Sequence, residues 1–401
     1  MSPETRADGY RIASLHFVFF FGIGAFIPYM TLFLSQVLVR PDGSPANNLI
    51  GLMVFLNQAL GMLGAPVAGI FADRYRLDSG VLTICALAGV AGATVLAIPA
   101  FLSDAPFWLL TGLVAVGIMA AGFFSRPIPS LIDTRTLKFL QDTIGDVSEY
   151  GRYRVFGSVG FIIAAVGIGI LLAATGMIGL TVVLHGMAFL AVALVAHGKM
   201  PAQLQRIRIP WHHLKDNRPF RHFVLFTFIS SMAIYSAFLF TGYFLDDINA
   251  GYIVMGLVFG VSALPELPVM LKAGALARRF GLKGIICIGL VAQMIKLLLF
   301  VVLAGTPAAW TFILASSLHG VGYALIHIGS IRMTDDFAHP DMRATYQNIQ
   351  QITRAAGIAV GGPLSGIVLD LWDSRVLMAI CAALVGLSLL YFLFFVRESE
   401  A

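Results

Sequence analysis

Two stretches of sequence half a chain apart decide the fold. Residues 69–76 read Gly-Ile-Phe-Ala-Asp-Arg-Tyr-Arg, and residues 274–283 read Gly-Ala-Leu-Ala-Arg-Arg-Phe-Gly-Leu-Lys. Their first glycines are 205 positions apart in a chain of 401 residues, and each stretch follows the second long apolar run of its half. An internal repeat of this length predicts two halves built alike.

The rest of the chain consists mainly of apolar runs. Hydrophobic residues make up 58% of the sequence and charged residues 12%, about half the charged share of a soluble domain. A run of about twenty apolar residues crosses a bilayer as a helix. We predict an all-α membrane protein with twelve transmembrane helices, near residues 12–36, 48–71, 80–101, 106–131, 153–174, 177–197, 222–245, 251–277, 283–304, 308–333, 344–369 and 375–396.

The positive charges predict how these helices are oriented. Nearly all lysines and arginines outside the apolar runs lie on the even-numbered loops, and the odd-numbered loops hold only Arg40 and Arg375. Because cytoplasmic loops carry the excess of Lys and Arg, both termini are predicted to be cytoplasmic. The protein is therefore expected to be a multi-pass protein of the inner (plasma) membrane.

The longest polar interval, from Gly198 to Arg221, separates six spans from six. We predict an N-terminal six-helix bundle over residues 1–197, a cytoplasmic linker over 198–221 and a C-terminal six-helix bundle over 222–401. Duplicated transporters of this kind place their substrate site near the middle of the membrane.

The repeated loop resembles the signature of the major facilitator superfamily, Gly-x-x-x-Asp-Arg-x-Gly-Arg-Arg/Lys. The first copy departs from that signature at Tyr75-Arg76-Leu77. The resemblance implies the major facilitator fold, with two pseudo-symmetric six-helix bundles, and a gating loop. The gating residues would be Gly69, Asp73, Arg74, Gly274, Arg278 and Arg279.

A longer string, Tyr150 to Phe161, resembles the start of the fifth helix in one branch of this superfamily. That branch holds lactose permease, 3-phenylpropionate permease and the nucleoside–proton symporters. The resemblance implies that Arg154 binds substrate together with Asp133. Three further positions match the branch by the same resemblance: Glu266 as a binding and coupling acid, His319 as part of a coupling site, and Lys296 in place of an arginine of the ninth helix.

Two departures separate this chain from lactose permease. Gly322 stands where that permease has an acid one turn after its histidine, and the seventh span, Phe223 to Leu245, contains no acidic residue. Arg354 takes the place of a lysine that the permease neutralises with an acid of its seventh helix. The sugar specificity of that permease therefore does not transfer.

Ionisable side chains inside the apolar runs are the other candidates for function. They cost free energy in hydrocarbon, so they usually face a cavity or a partner. The cations Arg126, Arg154, Lys272, Lys296 and Arg354 outnumber the acids Asp133 and Glu266, which favours an anionic or polyhydroxylated solute.

Several of these side chains also have a purely structural interpretation. Glu266 could form a salt bridge with Lys296 or Arg354, and Asp133 could be a static partner of Arg154. Arg126 and Asp133 are seven positions apart and would share one face of span four. Lys272 is expected to extend to the interface and His327 to pack between helices. Polar residues that open span eleven, among them Asn348 and Gln351, are expected to line a cavity.

We therefore expect a proton-coupled symporter for a small polar organic solute, namely a sugar, a nucleoside or an aromatic carboxylate. Glu266 is the first candidate for the proton carrier, with His319 and Asp133 as alternatives. The predicted substrate-binding residues are Arg154, Asp133, Lys296, Arg354, Arg126, Glu266, Gln351 and Asn348.

Other functions remain open at this point. The same fold could serve a drug or metabolite efflux antiporter, or a membrane receptor or scaffold that transports nothing. No P-loop, HExxH, GxSxG or His/Cys cluster occurs in the sequence, so we expect neither an enzyme nor a metal or cofactor site. The expected partners are a small-molecule substrate and the lipid bilayer, without nucleic acid, and the expected state is a monomer.

Overall fold

The computed structural model describes residues 3–75, 80–102, 105–143, 149–196, 217–306, 309–339 and 342–396, without the side chains of residues 3–5, 69–70, 72–75, 273 and 344. In these residues the chain is almost entirely α-helical. The helices of the first half are α1 (Pro3–Phe26), α2 (Met30–Val37), α3 (Asn47–Tyr75), α4 (Gly80–Ala97), α5 (Phe107–Ser125), α6 (Pro127–Thr143), α7 (Tyr150–Thr175) and α8 (Gly179–Val195). Those of the second half are α9 (Arg218–Leu239), α10 (Thr241–Asp247), α11 (Tyr252–Ala263), α12 (Glu266–Leu303), α13 (Ala309–Phe337), α14 (Arg343–Leu371) and α15 (Ser374–Phe395).

Every predicted span has a helical counterpart. Among the described residues, eleven helical segments are long and apolar enough to cross a membrane, and the apolar α8, with 17 residues, corresponds to the remaining span. Large apolar side chains such as Leu63, Val302 and Phe394 are exposed. A soluble protein would bury side chains of this kind, whereas in a bilayer they face lipid.

The chain divides into two compact units, Met1–Gln205 and Arg206–Ala401. Most of the predicted linker falls outside the described residues, and α9 begins at Arg218, four residues before the predicted span. Asn217 caps this helix: its side-chain oxygen accepts a hydrogen bond of 3.0 Å from the backbone N–H of Phe220. The boundaries of the two bundles stay a prediction.

Both units use the same internal packing. In the first unit α1 packs against α7 and α8, α5 packs against α3 and α4, and α4 also packs against α8. In the second unit α9 packs against α14 and α15, α13 packs against α11 and α12, and α12 also packs against α15. The five major contacts correspond one to one, as a duplicated sequence requires.

Glycines bring the backbones of corresponding helix pairs together. A side chain at Gly160 would collide with the backbone carbonyl of Phe17, where α7 crosses α1. A side chain at Gly357 would collide in the same way with the carbonyl of Phe228, where α14 crosses α9. Small residues permit such close contacts where apolar surface alone gives no driving force for association in lipid.

Span four is interrupted, contrary to the sequence prediction. Helix α5 ends at Ser125 and α6 begins at Pro127, with Arg126 between them. Proline lacks a backbone N–H and is favoured at the first position of a helix, so Pro127 ends one helix and starts the next. Arg126 itself keeps helical backbone angles, with φ of −63° and ψ of −35°. The shared face of Arg126 and Asp133 stays a prediction.

Span eight is also interrupted. Helix α11 ends at Ala263, and α12 begins at Glu266 after Pro265. Glu266 therefore lies in the first turn of a helix, where the helix dipole favours a carboxylate, and not in the interior of a helix as predicted. Helix α12 is itself broken at Gly281, whose φ of 70° is the left-handed conformation that glycine adopts most easily.

The close contact between α14 and α9 predicts the effect of a larger residue at Gly361. A Cβ atom there would lie 3.1 Å from the carbonyl oxygen of Met232 and closer still to the hydroxyl of Ser236. We expect Gly361→Leu to lower the melting temperature of the protein in detergent, since overpacking typically costs about 1–3 kcal/mol.

Gly167→Leu is the matched control, because nothing lies within 4 Å of a Cβ atom at that helical position. Both variants replace glycine by leucine within a helix, so the intrinsic helix propensity changes by the same amount in each. Equal melting temperatures for the two variants would contradict the role assigned to Gly361.

Candidate functional site

A small cavity lies within the C-terminal unit. Helices α9, α12, α13 and α14 form its wall. Hydroxyl, amide, imidazole and guanidinium groups line it, and apolar atoms contribute the larger part of its surface. The lining residues are Phe226, Thr227, Ser230, Ser231, Ile234, Tyr235, Gln293, Tyr323, Ile326, His327, Ser330, Gln350 and Arg354.

Arg354 supplies the formal charge of this cavity. Its guanidinium lies 3.3 Å from Nδ1 of His327 and donates to the side-chain oxygen of Gln351 on its own helix. The hydroxyl of Tyr235 is another neighbour. None of the described residues lining the cavity is acidic. A half-buried cation surrounded by neutral groups retains the capacity to bind further oxygen acceptors.

The contact with Arg354 also defines the state of His327. A guanidinium only donates hydrogen bonds, so Nδ1 of His327 must accept. The imidazole is therefore assigned as neutral, with its proton on Nε2. Its ring is nearly parallel to that of Tyr323 one turn earlier, with an angle of 6° and ring centroids 5.5 Å apart.

His319 continues this ring stack away from Arg354. Its centroid is 6.2 Å from that of Tyr323 and 5.0 Å from that of Phe238. Nδ1 of His319 lies 3.1 Å from the side-chain oxygen of Gln293, and the amide nitrogen of Gln293 donates to the His319 carbonyl oxygen at 3.1 Å. Gln293 lines the cavity, so His319 is linked to the cavity through one side chain.

The other predicted residues of this unit do not line the cavity. Lys296 is 3% exposed, and its ammonium lies 4.8 Å from the ring centroid of Phe300. Glu266 and Asn348 are partly buried in other positions. Of the substrate-binding residues predicted in this unit, the structure places Arg354 in the cavity wall and Gln351 against Arg354.

A second polar cluster lies in the N-terminal unit. Asp133 accepts a hydrogen bond of 2.7 Å from the hydroxyl of Tyr150, and the guanidinium carbon of Arg154 lies 3.9 Å from the ring centroid of Phe20. Arg154 is also within electrostatic range of Asp133. The direct hydrogen-bond partner of Asp133 is thus Tyr150, a residue that the sequence prediction did not select.

His16 belongs to the same cluster. It is fully buried, its Nε2 lies 2.9 Å from the hydroxyl of Thr136, and its ring meets that of Tyr150 edge-on at 6.3 Å. Its Nδ1 has no hydrogen-bond partner among the described residues. His16 directly precedes Phe17, and Thr227 directly precedes Phe228, so the glycine contacts of the two units place His16 and Thr227 at equivalent positions.

Arg126 takes part in a separate network of the N-terminal unit. It donates to the side-chain oxygen of Gln58, and the amide of Gln58 lies 3.4 Å from the side-chain oxygen of Asn57. Asn57 in turn donates to the carbonyl oxygen of Ile118 at 3.2 Å. Arg126 and Asp133 thus bind partners on different helices.

Only the second copy of the predicted gating loop can be described fully. Arg278 and Arg279 are exposed, and the guanidinium of Arg279 lies 5.2 Å from the ring centroid of Phe280. The side chains of Asp73 and Arg74, like Gly69, lie outside the described residues, so the gating role stays a prediction.

Sequence reasoning missed part of the cavity for an identifiable reason. Tyr323 and Tyr235 look like ordinary apolar-run aromatics, and His327 was expected to pack between helices. The spacing of His319, Tyr323 and His327, one helical turn each, was a usable signal. The contribution of Tyr235 depends on which helices are neighbours, and no local pattern shows this.

The chain is similar to several known membrane transporters. An uncharacterized transporter of Bacillus subtilis, YwbF, is 25% identical to this chain over 311 residues, which cover 76% of this chain and 72% of YwbF. Maltose permease of Geobacillus stearothermophilus is 24% identical over 323 residues, which cover 77% of this chain and 74% of the permease. Nucleoside permease NupG of Escherichia coli is 22% identical over 326 residues, which cover 77% of this chain and 76% of NupG. A crystal structure of nucleoside transporter NupG matches 97% of this chain and 99% of its own, with a TM-score of 0.81 and 18% identity.

The helical fold, with its apolar spans, is the major facilitator fold of multi-pass membrane transporters. The family model described as the MFS_1 like family matches residues 10–379, and the chain belongs to that family. The predicted fold class and the resemblance to the major facilitator superfamily are thereby confirmed.

The Tyr150 contact predicts the effect of removing one hydroxyl. Tyr150→Phe leaves Asp133 without its donor, and we expect a loss of about 1–2 kcal/mol of stability, measured as a lower melting temperature in detergent. Asp133→Asn should cost less, because an amide oxygen still accepts from Tyr150. Tyr10→Phe, at a 74% exposed tyrosine of the same unit, should change nothing. A Tyr150→Phe protein as stable as Tyr10→Phe would refute this account of Asp133.

Proposed function

We propose that this chain is a proton-coupled uptake transporter for a small polar organic solute rich in oxygen acceptors. The solute binds in the cavity of the C-terminal unit, with Arg354 as its anchor. One observation carries this proposal: the guanidinium of Arg354 lies in the wall of a cavity with no acidic lining residue, and its described partners are neutral.

Electrostatics supports this choice of ligand. A charge in the membrane interior is costly, and it usually marks a substrate or ion pathway. Ligand oxygens that approach Arg354 from the cavity would form charge-assisted hydrogen bonds. A cationic or purely apolar drug would gain nothing from this residue, which argues against broad drug efflux. A scaffold that binds no solute would have no use for a cavity with a half-buried cation in its wall.

The size and lining of the cavity suit the solute classes predicted from the sequence. Its wall combines hydroxyl, amide and guanidinium groups with apolar side chains, as the walls of small-molecule sites do. Hydroxyl, amide and phenol groups could bind a sugar or a nucleoside, and Arg354 could bind an aromatic carboxylate. Two of the relatives named above are permeases for maltose and for nucleosides, which supports testing these two classes first.

Proton coupling requires a group that takes up and releases a proton during an alternating-access cycle. Glu266 remains our first candidate, because a carboxyl group near apolar surroundings can exchange a proton as its solvation changes. Asp133 in the N-terminal unit and His319 beside the cavity are the alternatives. Lys296 and Arg154 stay predicted contacts for substrate oxygens outside the cavity described here.

The first experiment measures proton movement. Cells that express the protein receive a sugar, a nucleoside or an aromatic acid, and the pH of a weakly buffered medium is recorded. We expect the medium to become alkaline with one class, and the signal to disappear in Glu266→Gln. Alkalinisation that survives in this variant would exclude Glu266 as the proton carrier. No proton movement with any class would contradict proton symport.

The second experiment tests Arg354 directly. We expect Arg354→Gln to reduce uptake of the accepted solute by about tenfold or more, because hydrogen bonds to charged groups contribute about 1.5–3 kcal/mol. Arg354→Lys should restore only part of the uptake, since an ammonium cannot donate two parallel hydrogen bonds. Arg343→Gln, at an exposed position at the start of the same helix, is the control. Uptake that is equal in Arg354→Gln and Arg343→Gln would overturn the proposed site.

A further inference from the structure

We propose that Gln350 and Thr227 form a hydroxyl-recognising subsite in the C-terminal cavity, so that the solute is a polyhydroxylated molecule of the sugar or nucleoside type and not a simple carboxylate. This inference rests on the proposed function and narrows its substrate class.

Two oxygen atoms carry the inference. The side chains of Thr227 and Gln350 are 3% and 4% exposed, and both line the cavity that contains Arg354. The hydroxyl oxygen of Thr227 and the side-chain oxygen of Gln350 have no hydrogen-bond partner among the described residues. Buried polar atoms are almost always paired in native proteins, so two unpaired oxygens in one cavity wall call for an explanation.

Neighbouring glutamines show that unpaired atoms are not general in this region. Gln347 donates to the carbonyl oxygen of Ile331 at 2.7 Å and to the carboxylate of Asp335 at 2.9 Å. Gln293 uses both its oxygen and its nitrogen on His319. Among these glutamines, only Gln350 has a buried side-chain oxygen without a described partner, so this oxygen can accept a hydrogen bond from a bound ligand.

The chemistry of the three side chains selects the ligand. The oxygen of Gln350 can only accept, so it requires a donor. Arg354 lies one turn further along α14 and can only donate, so it requires an acceptor. A hydroxyl group is both a donor and an acceptor, and a molecule with several hydroxyls can meet Gln350, Arg354 and the Thr227 hydroxyl at once. A hydroxyl-free carboxylate would satisfy Arg354 and leave Gln350 unpaired.

Little rearrangement is needed for this contact. The two oxygens are almost without accessible surface, although their side chains line the cavity. The terminal torsion of a glutamine side chain has a broad energy profile, so its amide can turn toward a ligand at small cost. The backbone of α14 does not have to move.

The test compares matched solutes on matched variants. The full-length protein, purified in lipid nanodiscs, is titrated with uridine, with its 2′-, 3′- and 5′-deoxy analogues, with maltose and with 3-phenylpropionate. We expect the parent to bind uridine or maltose at least tenfold more tightly than 3-phenylpropionate. If the parent prefers uridine, removing one particular hydroxyl from it should weaken binding about tenfold. If the parent prefers maltose, monodeoxy analogues of maltose are compared with maltose in the same way.

In Thr227→Val and Gln350→Leu, the solute should bind at most about threefold more tightly than its deoxy analogue, so the ratio of the two affinities falls. The analogue has already lost the group that these side chains bind, so its affinity should change little. Thr94→Val and Gln141→Leu make the same changes at exposed positions of the N-terminal unit and should leave the ratio unchanged.

A melting experiment separates binding from structure. Replacing an unpaired buried polar atom by an apolar group of similar shape is neutral or stabilising. We therefore expect Thr227→Val and Gln350→Leu to melt at or above the temperature of the parent although they bind the solute less tightly. Lower melting temperatures in both variants, with the ratio unchanged, would assign the two residues to folding and overturn the inference.

The remaining outcomes are also decisive. A parent that binds 3-phenylpropionate more tightly than uridine and maltose would overturn this inference and leave the proposed transporter function intact. A parent that shows the expected preference, with variants that keep the parental ratio, would place hydroxyl recognition in other residues. A parent that binds none of the three classes would count against both the inference and the proposed function.

Discussion

Close backbone contact at glycine is the constraint on which each unit depends. Apolar surface gives helices no reason to associate in lipid, so their attraction has to come from short-range packing and hydrogen bonds. Gly160 lies against the carbonyl of Phe17 in the first unit, and Gly357 lies against that of Phe228 in the second. Even one additional carbon atom at these positions would force the helices apart, and the polar side chains beside the crossings would lose their present positions.

The same constraint explains why the polar clusters occur where they do. His16 and Thr227 precede the two carbonyl groups that the glycines approach, and both carry a buried polar atom without a described partner. The duplication has thus preserved the geometry of a position while its side chain changed. In the first unit the neighbours are Tyr150 and Asp133, and in the second they are amides, hydroxyls and Arg354. One architecture therefore presents two different sets of hydrogen-bonding groups.

Interruptions of the helices decide how the predicted charges are used. Pro127 starts the helix that holds Asp133, and Arg126 directly precedes it. The two residues bind partners on different helices. The break at Pro265 moves Glu266 to the first turn of α12, where the helix dipole favours its carboxylate. The prolines are visible in the sequence, but a proline inside an apolar run can either kink a helix or end it. Packing against the neighbouring helices selects between these outcomes.

The sequence by itself determined the number of spans, their approximate limits, the repeat and the family resemblance, because hydrocarbon requires about twenty apolar residues for each crossing. It also identified Arg354, since a charge in an apolar run is conspicuous. Only the tertiary structure decided that Tyr235, Tyr323, His327 and Gln350 line one cavity with Arg354, and that Lys296 and Glu266 do not line it. The physical reason is that these residues come from three helices, with Tyr235 more than eighty residues before Tyr323 in the chain. Helix periodicity tells which residues share a face but not which face meets another helix.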